Sequence, residues 1–301
     1  MAITTGAHPK ALWPGVKAFF GKTYKEKPTQ YSMIFNEQSS DKAYEERVEE
    51  TGFGLAPVKA EAASVSYDTD AQGYTSRLTN VTYALGAKVS MEAIADNQYE
   101  DVARRKAAKL ARSMRQTKEN VAANILNRGF TSAYAGGDGK ELFATDHPTL
   151  TGNQSNELAV AADLSEASIE DLLTQIREAT DSRGLRIQLK GQKLILPPEL
   201  EFEGTRIVSS TNQSGTANND INAMKSLGML PGGIVVCDYL TDADAWFIVT
   251  DAEEGLIYQN RMGVQFSQDN DFDTMNACMK AVERYVFGWA DFRGCYASPG
   301  A

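Results

Sequence analysis

Histidine is the first residue to look for, because acid–base and nucleophilic catalysis near neutral pH lean on it. The chain has two, His8 and His147. His147 follows Asp146 and precedes Pro148, so a hydrolytic site built on Asp146 and His147 is the enzymatic reading open to it. That reading lacks a nucleophile motif, for there is neither a GxSxG elbow nor an HExxH pair. Gly21-Lys22-Thr23 ends like a phosphate loop, but the glycine required five residues earlier is Val16. Asp269, Asp271 and Asp273 open like a calcium loop. Its glycine position is held by Thr274 and its bidentate acid position by Lys280, so an EF-hand is excluded. Asp242-Ala243-Asp244 lies between two strand-like runs and reads as a turn. Cys237, Cys278 and Cys295 are widely spaced without a CxxC pair and read as free, buried thiols. The expectation is no catalytic residue, no cofactor, no metal ligand and no enzyme.

The chemistry that remains is charge. Arg104, Arg105, Lys106, Lys109, Arg112, Arg115 and Lys118 line one helical segment of a chain whose formal net charge is −10. Such a face contacts either a nucleic acid or an acidic strip of a neighbouring subunit. The plainer alternative is a solvated face paired locally with Glu100, Asp101 and Glu119. The net charge favours the subunit over the nucleic acid.

The elements that would carry these residues follow from pattern. Residues 96–128 repeat apolar side chains at three and four, through Tyr99, Val102, Ala103, Ala107, Leu110, Met114, Val121 and Ile125. Asp96 is placed to cap this helix and Gly129 to stop it. About 32 residues at 1.5 Å each give a rod of roughly 48 Å. Residues 56–90 read as a long β-hairpin, alternating through Leu78, Val81, Tyr83 and Leu85, with Asp68, Asp70, Gln72 and Gly73 as its polar tip. A second helix starts at Ser165, stapled by Leu164 and Ile169, and runs to Gly184. Strands follow at 194–196, 234–240, 246–250 and 256–258, with a helix over 199–208 between the first two. In 277–286, Met279 and Ala281 face one side and Cys278, Lys280, Val282 and Arg284 the other.

Residues 1–50 are broken by Gly6, Pro9, Pro14, Gly15, Gly21 and Pro28, yet carry Trp13, Phe19, Phe20, Tyr24, Tyr31 and Phe35. Such a segment has no core of its own, so another subunit is expected to hold it. Removing residues 1–30 should leave a foldable body that fails to assemble. With 42% hydrophobic and 23% charged residues the composition is that of a globular chain. Residues 1–10 contain no apolar signal region, and no run reaches the ~20 apolar residues of a membrane helix, so a soluble, cytoplasmically made protein is expected.

Five strings, in order, carry a resemblance. They are Tyr83 to Gln98, then Leu142-Phe143-Ala144-Thr145-Asp146-His147-Pro148, then Gly215 to Asn222. Tyr239 to Phe247 and the ending Phe287 to Ala301 complete the set. Together they resemble the Mu-type branch of tailed-bacteriophage major capsid (head) proteins, within the Hong Kong 97-type coat family, from about residue 50 onward. The resemblance implies an α+β fold with an N-terminal arm (1–55), an extended β-hairpin loop (56–90) and two further units. The peripheral domain (91–190 with 261–301) holds a long spine helix, and the axial domain (191–260) a central sheet.

It further implies self-assembly through pentamers and hexamers into an icosahedral shell enclosing packaged double-stranded DNA. The location is the virion, after assembly in the host cytoplasm. A portal protein is an implied partner and a decoration protein an optional one, with no membrane. The archetype begins with a long cleavable scaffolding segment for which this chain has no room, so a separate scaffolding protein is implied. Lys59 and Lys88 flank the loop, but no motif marks a cross-linking pair. Expected assembly contacts are Trp13, Phe19 and Phe20 in the arm and Asp68, Asp70, Gln72 and Gly73 in the loop. Arg104, Arg105, Lys109, Arg112 and Arg115 form the basic helix face for subunit or DNA contact. The alternative from the same source is a ring-forming adaptor or tail structural protein.

Overall fold

The computed structural model describes residues 13–90, 99–212, 220–271 and 276–301. Helices α1 (Trp13–Tyr24) and α2 (Tyr31–Ile34) precede strands β1 (Asn36–Ser39), β2 (Tyr44–Glu50), β3 (Gln72–Thr79) and β4 (Val81–Val89). The long helix α3 (Tyr99–Asn127) leads to β5 (His147–Thr149), β6 (Gly152–Gln154), α4 (Glu166–Glu178) and β7 (Gly191–Leu196). Helices α5 (Glu201–Ser209) and α6 (Ala223–Leu227) come next, then β8 (Ile234–Val236) and β9 (Trp246–Thr250). The chain closes with β10 (Leu256–Asn270), β11 (Ala277–Trp289) and β12 (Cys295–Ser298). Two four-stranded sheets organise it, ordered β1-β10-β11-β4 and β12-β9-β7-β8.

The second sheet shows how period-two patterning builds two cores at once. Ile195, Phe247, Cys295 and Ala297 point to one face and join the core beneath the C-terminal half of α3. Their neighbours Leu194, Leu196, Trp246, Ile248 and Tyr296 point to the other face, against Ile169, Leu172, Leu173 and Ile176 of α4. Helix α3 spans both sheets. Its Ala103, Ala107, Leu110, Ala111 and Met114 lie on Val89, Ala277, Met279 and Ala281 of the first sheet. Its Ala122, Ala123 and Leu126 reach the core shared with the second. Small residues toward one end allow close helix–sheet approach there.

Local signals place several elements where the sequence does. Ser165 caps α4: its hydroxyl accepts the Ser168 amide at 3.1 Å, and the Ser168 hydroxyl accepts the Ser165 amide at 2.9 Å. Strand β11 buries Ala277, Met279, Ala281, Glu283, Tyr285 and Phe287 in strict alternation. Asp96, the side chains of Tyr99 and Val102, and Gly215 to Asn219 lie outside the described residues.

Other expectations are corrected. Helix α4 ends at Glu178, not Gly184, because the Asp181 carboxylate accepts the Arg183 and Leu185 amides (2.9 and 2.8 Å) and folds the chain into a turn. Gly129 is not a left-handed helix stop. A Cβ there would lie 2.5 Å from the Phe143 ring, so glycine serves close packing. The hairpin is not drawn from residues 56–90. Strand β3 pairs with β2, which lies in the segment read as arm, and β4 leaves to pair with β11. The chain switches sheets at buried Asn80, whose side-chain amide donates to Ser40 Oγ (3.1 Å) and the Lys42 carbonyl (3.0 Å). Strand β2, Tyr44–Glu50, carries four glutamates and an arginine, a composition that hides β-alternation. The second sheet takes its edge strand β12 from residues 295–298, beyond the 191–260 segment expected to supply it.

Candidate functional site

The hairpin and its loop. Strands β2 and β3 pair from Tyr44 opposite Thr79 to Glu50 opposite Gln72, and residues 51–71 form the loop between them. Phe53, Leu55, Val58, Val65 and Tyr67 are all exposed on this loop, Tyr67 at 94% and Val58 fully. Exposed apolar residues gathered on one projecting segment mark an interaction surface.

The polar residues expected at the tip lie at the root instead, engaged within the chain. Asp68 Oδ2 accepts the Gly54 amide and Arg183 Nη1, each at 2.8 Å. The Gly54 amide, then the Thr69 amide and Arg183, hold its carboxyl below the usual range. Asp70 Oδ1 accepts the Thr51 hydroxyl at 3.0 Å, and Gln72 Nε2 donates to Thr75 Oγ1 at 3.5 Å. Gly73 leaves room for Glu49, whose carboxylate oxygen would sit 2.5 Å from a Cβ there. Glu49 is bonded to Ser182 and paired with Arg293 at 3.7 Å.

The N-terminal segment. Phe20 is buried in its own body, stacked on Phe266 with ring centroids 4.6 Å apart. Val16 is buried beside it. Tyr31 sets its edge against Tyr258 (5.1 Å) and Phe287 (5.5 Å). The short α2 is held from outside. Glu119 of α3 accepts the Gln30 and Tyr31 amides, one on each carboxylate oxygen, both at 3.0 Å. Burial raises the Glu119 pKa, while these amides, Arg115 and Lys118 pull it down. The expectation that another subunit must hold these rings is therefore corrected for residues 16–35. So is the expectation that residues 1–30 can be removed from a foldable body, because Val16 and Phe20 fill its core. Phe19 is the exposed one, at 39%. The side chain of Trp13 lies outside the described residues.

The long helix. Arg104, Arg105, Lys109 and Arg112 are exposed, and Arg115 is half-buried. They share their side of the molecule with Phe19, which lines a concavity with Arg104, Arg105, Ala108, Lys109 and Arg112. Arg112 meets Glu26 at 3.5 Å. Lys118 does not belong to this face. It is buried in an ion pair with Glu283, within hydrogen-bond reach of the Tyr24 hydroxyl (3.1 Å) and 4.8 Å from the centre of the Tyr285 ring. Burial, then the Glu283 charge, pushes the Tyr24 and Tyr285 hydroxyls well above their ordinary values. The sequence signal for this pair was a glutamate on the buried parity of β11.

The histidine. His147 does not pair with Asp146, which instead meets Lys140. Its Nδ1 faces Asp138 Oδ2 at 2.5 Å and its Nε2 faces Asn156 Oδ1 at 3.1 Å. Its ring stacks on Phe292 at 3.9 Å, and it is fully buried. Asn156 also donates to the carbonyls of Leu142, Phe292 and Cys295 (2.6, 3.1 and 3.0 Å). With both ring nitrogens engaged and no exposed edge, His147 cannot meet a substrate. It ties the 138–156 loops to the C-terminal strand. Among the described residues there is no metal-ligating cluster, and no helix is long and apolar enough to cross a membrane.

What the site offers is surface rather than catalysis: a projecting loop with exposed apolar side chains, and a basic helix face. Comparison with known proteins agrees. No curated protein matches the chain. Among solved structures it is similar to a virus-like particle from Pyrococcus furiosus, at 11% identity over 95% of this chain and 98% of that one, TM-score 0.52. It is similar to the capsid of Myoviridae phage XM1, at 10% identity over 90% of each chain, TM-score 0.54. It also resembles the capsid of a native GTA particle, at 14% identity over 91% of each, TM-score 0.57. These likenesses establish a mixed helix-and-sheet coat fold. The model of the phage capsid protein family matches residues 73–298. The chain belongs to that family and is a structural protein of a capsid shell.

Proposed function

We propose that this subunit is the major head protein of a tailed phage, of the Mu-type branch, closing through rings of five and six into an icosahedral shell around duplex DNA. Supporting the reading is the hairpin loop, whose Phe53, Leu55, Val58, Val65 and Tyr67 stay exposed among the described residues of their own body. A neighbouring subunit supplies a partner for them. Head-to-tail contacts between identical subunits close into rings, and obligate interfaces bury ~2,000–5,000 Å² or more. Each loop adds area beyond its own body, and many modest contacts in series make disassembly rare.

In this reading α3 is the spine of a peripheral unit and the β12-β9-β7-β8 sheet the centre of an axial one. The root residues Asp68, Asp70, Gln72 and Gly73 set the loop's direction, while its apolar residues make the contact. The family likeness supports a portal as partner, and assembly in the host cytoplasm before residence in the virion.

Negative-stain electron microscopy tests this. Wild-type protein, co-expressed with its scaffold where one is needed, is expected to form closed shells. The variant Val58→Ser with Tyr67→Ser is expected to leave folded subunits that do not close. Single fixed rings from the wild type would overturn the shell in favour of an adaptor.

A further inference from the structure

The basic face of α3 is not explained by loop contacts between subunits. Residues 103–118 contain seven Arg or Lys and no Asp or Glu, in a chain of net charge −10. One of the seven, Lys118, is neutralised inside by Glu283. Lys106 turns away to donate to the Lys88 carbonyl at 2.5 Å, and the other five bound two adjoining concavities of about 480 and 620 Å³ that share Arg112. Arg104, Arg105 and Lys109 line the first, and Arg115 with Lys27 the second. Among the described residues, the carboxylates lining the two are Glu26 and Asp238. Glu26 sits on Arg112 in a solvent-exposed pair, the kind that contributes ~0–1 kcal/mol and exchanges readily for a stronger anion. Asp238 accepts the Gln30 side-chain amide at 2.9 Å. Arg115 donates to the Pro28 carbonyl at 3.0 Å, which fixes its guanidinium at the mouth of the second concavity.

We infer that this face docks the phosphate backbone of duplex nucleic acid. The inference rests on the proposal that the shell encloses a duplex, and it names where the coat holds it. Arg105, Lys109 and Arg112 fall at spacings of four and three, on one side of the helix. From Arg104 to Arg115 the row runs roughly 16 Å at 1.5 Å per residue. A duplex presents one negative charge per ~1.7 Å of axis, so that length faces roughly ten phosphates, the nearer of which lie within reach of flexible cationic side chains. A short acidic peptide would fill the smaller concavity alone and leave Arg115 and Lys27 unused. A repeating anion uses both. Phe19 forms the apolar side of the first concavity, supporting the stems of the arginines around it. The acidic remainder of the surface repels the polyanion and confines it to this strip.

The test uses full-length, unassembled subunits and a fluorescein-labelled 20-base-pair duplex, followed by anisotropy from 50 to 200 mM salt. For about five phosphate contacts, log affinity should fall against log salt with a slope of about −4.5, a loss of several hundredfold across that range. The triple variant Arg104→Gln, Arg105→Gln, Lys109→Gln should bind at least tenfold more weakly at 100 mM salt, with the slope reduced to about −2. The double variant Lys190→Gln, Arg206→Gln, on other exposed surface, should bind like wild type. Unchanged binding in the triple variant overturns the inference. So does a wild type that binds polyglutamate but not the duplex, which would assign the face to a protein partner. Electron microscopy of the triple variant separates the two proposals. Normal shells leave the face to nucleic acid, and failed shells make it a subunit contact. A wild type that never forms shells counts against the proposed function while leaving the duplex measurement intact.

Discussion

The N-terminal segment and the hairpin loop look alike in sequence and behave in opposite ways. Both are interrupted by glycine or proline, and both carry large apolar side chains with no evident core. Yet Val16, Phe20, Tyr31 and Phe35 pack into their own body, while Phe53, Leu55, Val58, Val65 and Tyr67 face out. The difference lies in regular local structure and in what it meets. Residues 16 and 20 sit one turn apart on a helix, forming a stripe that fits Phe266 and the small residues of α3. The loop has no such period, and polar bonds at its root tie it to the body. An aromatic-rich irregular segment therefore does not announce whether its partner is itself or a neighbour.

The largest energies lie on the N-terminal side. Phe20→Ala should cost ~3–5 kcal/mol by opening a cavity against Phe266 and α3, read as a lower urea midpoint of the isolated subunit. A loss below ~1 kcal/mol would mean that the segment is not part of the body. Glu283→Leu should cost a comparable ~3–5 kcal/mol by stranding Lys118, and adding Lys118→Met should recover most of it. If the double variant is no better than the single, the ion pair is not what makes the site sensitive. Glu119→Ala leaves the Gln30 and Tyr31 amides without their partner and should cost ~1–3 kcal/mol.

On the loop side the stability effects shrink. Tyr67→Ser with Val58→Ser should move the urea midpoint by no more than ~0.5 kcal/mol equivalent, while abolishing shells. The smallest effect is a pH dependence. The Asp68 carboxyl is held below its ordinary value of 3.8, so its contribution to tethering is full above that pH and fades as pH falls through the lower, folded value. Limited proteolysis with pepsin between pH 5 and 2 should cut within residues 53–67 faster in Arg183→Ala than in wild type at pH 5. That difference should narrow toward pH 2.

How legible the molecule was in its sequence follows the range of the interactions concerned. The long helix, the Ser165 cap and the alternation of β11 are readable because each depends on residues within a turn or two of one another. The hairpin was misplaced because the pairing of Tyr44–Glu50 with Gln72–Thr79 depends on a charged strand whose partner lies across the loop. Phe20 was assigned outward because Phe266 is far along the chain. The partners of His147, Asp138 and Asn156, lie nine residues to either side of it in irregular chain, where no periodic pattern marks them. The basic face was visible as composition. Its junction with Phe19 into one concavity needed the packing of α1 on α3.

The switch of sheets at Asn80 has a mechanical meaning. Strand β3 ends at Thr79 and β4 begins at Val81, so the hairpin and the first sheet share one nearly unbroken strand. A tug on the loop by a neighbour is delivered along that strand into β4, which is laddered to β11 through nine paired residues. The ladder bonds lie across the direction of pull. The rungs are therefore loaded together, in shear, instead of being peeled one after another. Strain arising between subunits would pass into the body as a shared load rather than opening the sheet from its edge.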